Sequence, residues 1–381
     1  VVGGGVAGVA AALAASRRGL SVALVEKEPS LGGTATLGLT GTICGLYRSG
    51  TAEPGELLNG GIVAEVVAAL LAKAPARSVR RAGRVFVLPY ESGELQEILE
   101  TLCAGEESLT VYRGATVVAI AVAAGAVRSA TVSMDESSFV FAPAALVDAS
   151  GSGEAACLAG AAFELTPAEQ LQLAGFTVKI AGLQGADASL SLKVPFAVAK
   201  GIEAGRLPVA LRYTVFTAAE RPTEGLLKVN IPEGSDVAGA VAPLVGYLAA
   251  ELAEFSQAVV TATSARSFSR EGRRILGSSL LTADDVLSAR KCADGVVKGA
   301  WPIELWSRDR GVSYRYPPDG DYYEIPAGCL KARGFSNLFM AGRCISVSHE
   351  ALGSTRVIGT CLALGEQAGL AAANCITSFS R

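Results

Sequence analysis

Apolar and polar positions alternate with two different periods along this chain, and the switches between them mark its elements. Val1 and Val2 read as the end of a strand, residues 3–8 as a glycine-rich turn, and residues 6–18 as an alanine-rich helix that stops at Gly19. Residues 20–25 are a short apolar run between polar neighbours, as a buried parallel strand should be, so the opening is a βαβ unit. Residues 60–73 and 94–103 carry helical spacing. Residues 116–122 and 126–134 alternate with period two around Ala123-Ala124-Gly125, which predicts a hairpin and the start of a β-meander. A further strand is expected over 139–148, followed by a turn through 149–153 into a helix over 154–161. Near the end, 338–341 reads as a short strand and 354–374 as one long alanine-rich helix.

Between these regions the chain changes character. Residues 164–325 hold most of the aromatics and prolines and the charge-dense patch 266–274. The expected organisation is therefore split: residues 1–163 and 326–381 form one α/β domain with a Rossmann-like parallel sheet, and 164–325 form an inserted α+β domain that roofs its site.

Composition narrows the function. The chain has 381 residues, 50% of them hydrophobic, ample for a large core, and a formal net charge of -3 gives no basic field for nucleic acid. The mean hydropathy of +0.39 comes from Ala and Val and not from long apolar blocks, and the apolar runs, broken by Gly or Pro, are too short to span a bilayer. The eight cysteines contain no C-x-x-C pair, which argues against structural zinc and a dithiol couple and favours a reduced, cytoplasmic chain. The opening valines look like a strand whose start is missing, so the natural N-terminus is expected to lie upstream.

Gly3-x-Gly5-x-x-Gly8 follows a strand and opens a helix at Val6 and Ala7. The glycines permit a tight turn, close approach of a pyrophosphate and close helix–strand packing, while the helix start offers free N–H groups to phosphate. The next strand ends at Glu26-Lys27, where a carboxylate can bind ribose hydroxyls and disfavours a 2′-phosphate. Gly32-Gly33-Thr34 then gives a second flexible, unobstructed turn.

With the Gly32-Gly33 pair, the chain resembles FAD-dependent oxidoreductases of the glutathione reductase-like structural class. Ala149-Ser150-Gly151 resembles that class's later strand-end motif, with Ser150 in place of the usual Thr. The run from Asn337 through Ala341-Gly342-Arg343 resembles its final FAD motif. Residues 348–356 and 361–369, with 270–275 upstream, resemble one broad family of FAD-dependent oxidoreductases. The resemblance implies that Gly342 and Arg343 approach the ribityl or pyrophosphate part of FAD. It also implies that Ser354, Thr355, Arg356 and Val357 begin a helix aimed at the pyrimidine edge of the flavin ring, with Arg356 opposing the negative charge of reduction.

His349 is the chain's one histidine; it is expected in a polar loop, oriented by Glu350, as a proton carrier or substrate contact. Arg270 and Arg273, in the patch 266–274, are candidates to bind a carboxylate-bearing substrate. Cys44 is expected near the ring as a structural cysteine. The expected activity is hydride transfer between a small organic substrate and non-covalently bound FAD, with the electron acceptor open. The rival readings are an NAD(H)-dependent dehydrogenase and a non-catalytic flavin-binding scaffold or sensor.

Overall fold

The structure is a computed structural model; it describes residues 1–187, 189–219, 221–235 and 237–379. Its centre is a parallel sheet whose rows run Leu109–Arg113, Val22–Glu26, Val1–Val2, Leu146–Asp148 and Leu338–Met340. The opening valines join the sheet by backbone bonds on both sides, Val2 N–H to Val147 O (2.9 Å) and Val25 N–H to Val1 O (2.9 Å). The first helix, Val6–Ser16, is buried along its whole length. It is covered by the terminal helix Ile358–Phe379, where Gly365 and Gly369 press against the backbone of Ala7 and Ala11. Alanine and glycine at this seam let the two helices approach closely, which accounts for the alanine-rich pattern at both ends of the chain.

The expected meander is present, and its turn uses left-handed Ala124 (φ 49°) and Gly125 (φ 69°), as a two-residue hairpin turn requires. The expected strand over 139–148 is two strands. Ser137–Phe141 completes the meander and Leu146–Asp148 enters the parallel sheet. Pro143 lies between them; without an N–H it cannot sit within a central ladder.

A second sheet is antiparallel, in the order Tyr213–Ala218, Glu224–Ile231, Ala174–Ala181, Val259–Thr263. One face packs on helices Leu190–Glu203 and Ala238–Glu251 and builds a separate core from Val178, Leu227, Val229, Leu244 and Phe255. Ile275, Val297, Ile303, Tyr323 and Ile325, further along the expected insert, pack instead in the core of the parallel sheet. Among the described residues no helix is long and apolar enough to cross a membrane.

Candidate functional site

The phosphate-type turn is built as its spacing demands. A Cβ on Gly3 would stand 2.5 Å from the Ala149 carbonyl oxygen, and one on Gly8 would run into the Gly3 carbonyl. Gly5 is different: a Cβ there meets nothing within 4 Å, so open space lies over it. No side chain caps the helix that starts at Val6 and Ala7, and its first-turn N–H groups are left for an outside acceptor. The second glycine turn backs onto the first, since Gly32 N–H donates to Gly4 O (2.8 Å) and a Cβ on Gly33 would sit 3.1 Å from Gly5 Cα. Thr34 then opens a short helix, Thr34–Leu37.

Glu26 closes the end of its strand. It accepts from the N–H of Gly4 and of Glu28 (2.8 Å to the latter), which fixes the carboxylate while leaving further lone pairs for hydroxyl donors. Lys27 turns outward to Glu154 (3.7 Å). At the later strand end, Asp148 accepts from the N–H and hydroxyl of Ser150 and from Ala156 N–H (2.8 Å). Burial nonetheless holds the Asp148 carboxyl above its ordinary value. Arg343 donates from Nε to Gly151 O (2.7 Å) and from Nη1 to Ser269 O, which ties this loop to the segment after it. Gly342, with φ 73°, brings its backbone against Ala7.

The expected single helix over 354–374 is two. A short helix, His349–Thr355, ends with Arg356 as its C-cap, and the terminal helix starts at Ile358. Ser354 to Val357 therefore form the junction between helices, and they do not begin one. Gly353 causes the break's geometry: lacking a Cβ, it lets the Glu304 carbonyl approach (2.8 Å from where a Cβ would be). Arg356 Nη2 donates to that carbonyl (3.2 Å) and lies 3.7 Å from Glu304 Oε1. Ser354 turns away to Tyr323 Oη (2.6 Å) and Trp301 O. Three buried polar atoms at the junction, Thr355 Oγ1, Thr360 Oγ1 and Arg356 Nε, have no partner. Val357 packs with Trp301 and Cys44, and Cys44 O accepts from Gly359 N–H (2.9 Å).

His349 is not in a loop. It opens the short helix behind the cap Ser348, whose hydroxyl accepts from Ala351 N–H (3.3 Å). Nor does Glu350 orient it; Glu350 pairs with Arg315 (2.9 Å), since successive helical residues point apart. His349 Nδ1 instead lies 3.0 Å from Glu271 Oε2 and 2.9 Å from Thr166 Oγ1. Glu271 only accepts, so Nδ1 carries the proton. Burial alone would push the Glu271 carboxyl up, but bonds from His349 and Thr166, the His349 charge and Gln172 N–H outweigh it and hold the group below its ordinary range. Arg274 joins through Thr166 (2.8 Å).

The arginine patch divides. Arg270 donates to Leu173 O and to Asn230 Oδ1 (2.6 Å), and its guanidinium lies 4.9 Å over the Trp306 ring. Burial, then the charge of Arg356, pull it well below its ordinary value. Arg273 faces away from Arg270, to Ser152 O (3.3 Å) and the Phe163 ring, and Arg266 pairs with Glu28 (2.8 Å). Sequence reasoning missed Glu304, Trp301, Trp306 and Lys228, which gather between Arg270 and Arg356. No local motif marks them: Trp301, Glu304 and Trp306 lie on or just before strand Ile303–Ser307 and Lys228 on strand Glu224–Ile231, and the two strands meet Arg270 and Arg356 only in the fold.

The FAD implied by the resemblance fits the residues present. The two glycine turns form a cradle that a Cβ at Gly33 would crowd, the space over Gly5 is open, and unpartnered donors stand ready at the helix junction. The curated proteins contain no match to this chain. Among solved structures it is similar to a geranylgeranyl bacteriochlorophyll reductase-like protein from Thermoplasma acidophilum, with 11% identity, coverage of 100% of this chain and 78% of that one, and a TM-score of 0.48. It is also similar to p-nitrophenol 4-monooxygenase PnpA from Pseudomonas putida, with 14% identity, coverage of 73% and 68%, and a TM-score of 0.42. The flavin-dependent brominase Bmp2 gives 14% identity, coverage of 99% and 78%, and a TM-score of 0.49. Residues 1–380 match the family described as FAD dependent oxidoreductase, which sets aside both an NAD(H) dehydrogenase and a non-catalytic scaffold. The chain is thus an enzyme of the FAD-dependent oxidoreductase family, with FAD as its cofactor.

Proposed function

We propose that this enzyme moves a hydride between a carbon of a small organic substrate and non-covalently held FAD. FAD, when bound, supplies the two-electron acceptor or donor; the chain does the rest. Gly3, Gly5, Val6, Ala7 and Gly8, with Gly32, Gly33 and Thr34, hold the dinucleotide by backbone N–H groups. Glu26 takes ribose hydroxyls on its remaining lone pairs, and the Ala149-Ser150-Gly151 loop, braced by Arg343, lines the same side. The observation that carries the reading is the set of buried, unpartnered donors at the helix junction, Thr355 Oγ1, Thr360 Oγ1 and Arg356 Nε. Donors left bare in a folded protein are costly, and a ring edge that gains negative charge on reduction satisfies them.

His349 is the proposed proton carrier. Glu271 fixes its Nδ1–H, which leaves Nε2 to hold or pass the proton that accompanies hydride loss from an alcohol or amine. The test is anaerobic mixing with a panel of amines, hydroxy acids and unsaturated acids, read by bleaching of the flavin. Bleaching by a member of the panel supports the reading. His349→Gln should keep FAD and slow that reduction by about 10²–10⁴-fold. Reduction at the wild-type rate would leave His349 as a structural partner of Glu271.

A further inference from the structure

The antiparallel sheet has a second face, turned away from its own helices. On strand Glu224–Ile231 the alternation puts Leu227, Val229 and Ile231 into the separate core, and Lys228 and Asn230 on the other side. From Asn230 an unbroken set of contacts runs toward the helix junction. Asn230 Oδ1 accepts from Arg270, whose guanidinium covers Trp306. Trp306 Nε1 donates to Glu304 Oε1 (2.6 Å), Trp301 Nε1 donates to Glu304 Oε2 (3.1 Å), and Arg356 faces the same carboxylate.

The charges here do not balance. Lys228, Arg270 and Arg356 stand around one carboxylate, Glu304, and both its oxygens are already engaged by the indoles. The charges that act on Lys228 are those of Glu304 and Arg270, since burial pushes the nearby Cys44 thiol up to about 12 and keeps it neutral; yet among the described residues the Lys228 ammonium has no hydrogen bond and no ion pair. Burial is the largest influence on Lys228, Arg270 and Glu304 alike. All three nevertheless keep accessible surface, 15% of the side chain for Glu304, as does Arg356 with 13%. Groups that are deeply surrounded and still accessible line a recess. A lone ammonium in a recess loses water without a replacement unless an anion comes to it.

We propose that Lys228, flanked by Arg270 and Arg356, seats a carboxylate group of the enzyme's organic substrate. The inference rests on the hydride-transfer reading and names the substrate class for that site. A carboxylate suits the donors better than a phosphate. Arg270 is committed to Leu173 and Asn230, and Arg356 Nε is the donor given to the flavin edge, so one bare donor is left, the Lys228 ammonium, with the Arg356 charge beside it. Tyr314, paired with Glu304 across the hairpin and exposed, offers a ring for the flat or apolar remainder of an organic acid. Arg273, turned to the Ser152 carbonyl, takes no part.

The test uses the FAD-loaded protein and its Lys228→Met and Lys228→Arg variants. Acetate, benzoate and succinate are titrated by calorimetry and by the visible difference spectrum of the flavin, with the matching amides as neutral controls and inorganic phosphate as a second anion. At least one acid should bind the wild type, its amide about tenfold or more weaker. Lys228→Met should weaken acid binding by about 10- to 100-fold, as loss of a charge-assisted hydrogen bond does, with FAD content unchanged. Lys228→Arg should recover part of it. Equal binding to Lys228→Met, an amide as good as its acid, phosphate above every acid, or no acid bound at all would each overturn the proposal. Bleaching on the same preparations separates the two readings. A protein that binds an acid through Lys228 but is bleached by no substrate refutes hydride transfer alone. A protein whose bleaching by a substrate is unchanged in rate and KM in Lys228→Met refutes the carboxylate seat alone.

Discussion

At Gly5 an added Cβ meets nothing within 4 Å, and the backbone there is extended (φ -64°, ψ 174°), so the protein itself tolerates a side chain. Gly5→Val should fold with a melting temperature close to that of the wild-type apoprotein and purify colourless, its FAD content down by about tenfold or more, because a branched side chain fills the approach of the pyrophosphate. Flavin content after denaturation checks this, and a yellow Gly5→Val protein would sink it. Glu271 gives a pH-dependent counterpart. Its carboxyl is held below the ordinary value of 4.5, so its stabilising contribution is present above that pH and is lost as pH falls through the lower folded value. Glu271→Gln should flatten that acid limb of the stability curve and destabilise the protein at neutral pH by about 1–3 kcal/mol, measured by urea unfolding from pH 3 to 7. An acid limb as steep as that of the wild type would refute it. The glycine turns were legible in the sequence because their spacing is a local signal, although only Gly8 is crowded by a near neighbour, the Gly3 carbonyl, while Gly3 is crowded by the distant Ala149. The partner of His349 was not, since Glu271 is distant in sequence and Glu350 is adjacent.

Among the elements, alternation identified the meander and apolar runs identified the parallel strands. The break between His349–Thr355 and Ile358–Phe379 escaped, because Ser354-Thr355-Arg356 was read as the start of one helix and not as the end of another. The cause is tertiary: strand Ile303–Ser307 brings the Glu304 backbone onto Gly353. The seam between the first and terminal helices depends on the same economy of side chains. Gly369→Leu should push the terminal helix off Ala11 and destabilise by about 1–3 kcal/mol or more, the range for overpacking. Thermal unfolding of the FAD-loaded variant reads the loss, and an unchanged melting temperature would show that the helices can separate freely.

For the whole molecule, two cores follow from two sheets. We propose that the unit around the antiparallel sheet opens independently of the parallel-sheet core, to which the FAD cradle belongs. Free FAD at about a hundred times its Kd should then add about 2.7 kcal/mol to the protection of amides around Val9 and Leu24. Amides at Val178 and Leu227 should gain less; hydrogen exchange with peptide-level readout measures both, and a uniform gain would contradict independence. The seam of Ala7 and Ala11 with Gly365 and Gly369 also has a consequence for biosynthesis. A ribosome makes the cradle long before its cover. Until residues 358–379 emerge, the first helix has an uncovered apolar side, and the strand Leu338–Met340 has only just joined the sheet. Throughout the synthesis of the residues between the two helices the nucleotide loop is made and its backing absent, so that stable flavin capture is expected only once residues 358–379 have emerged.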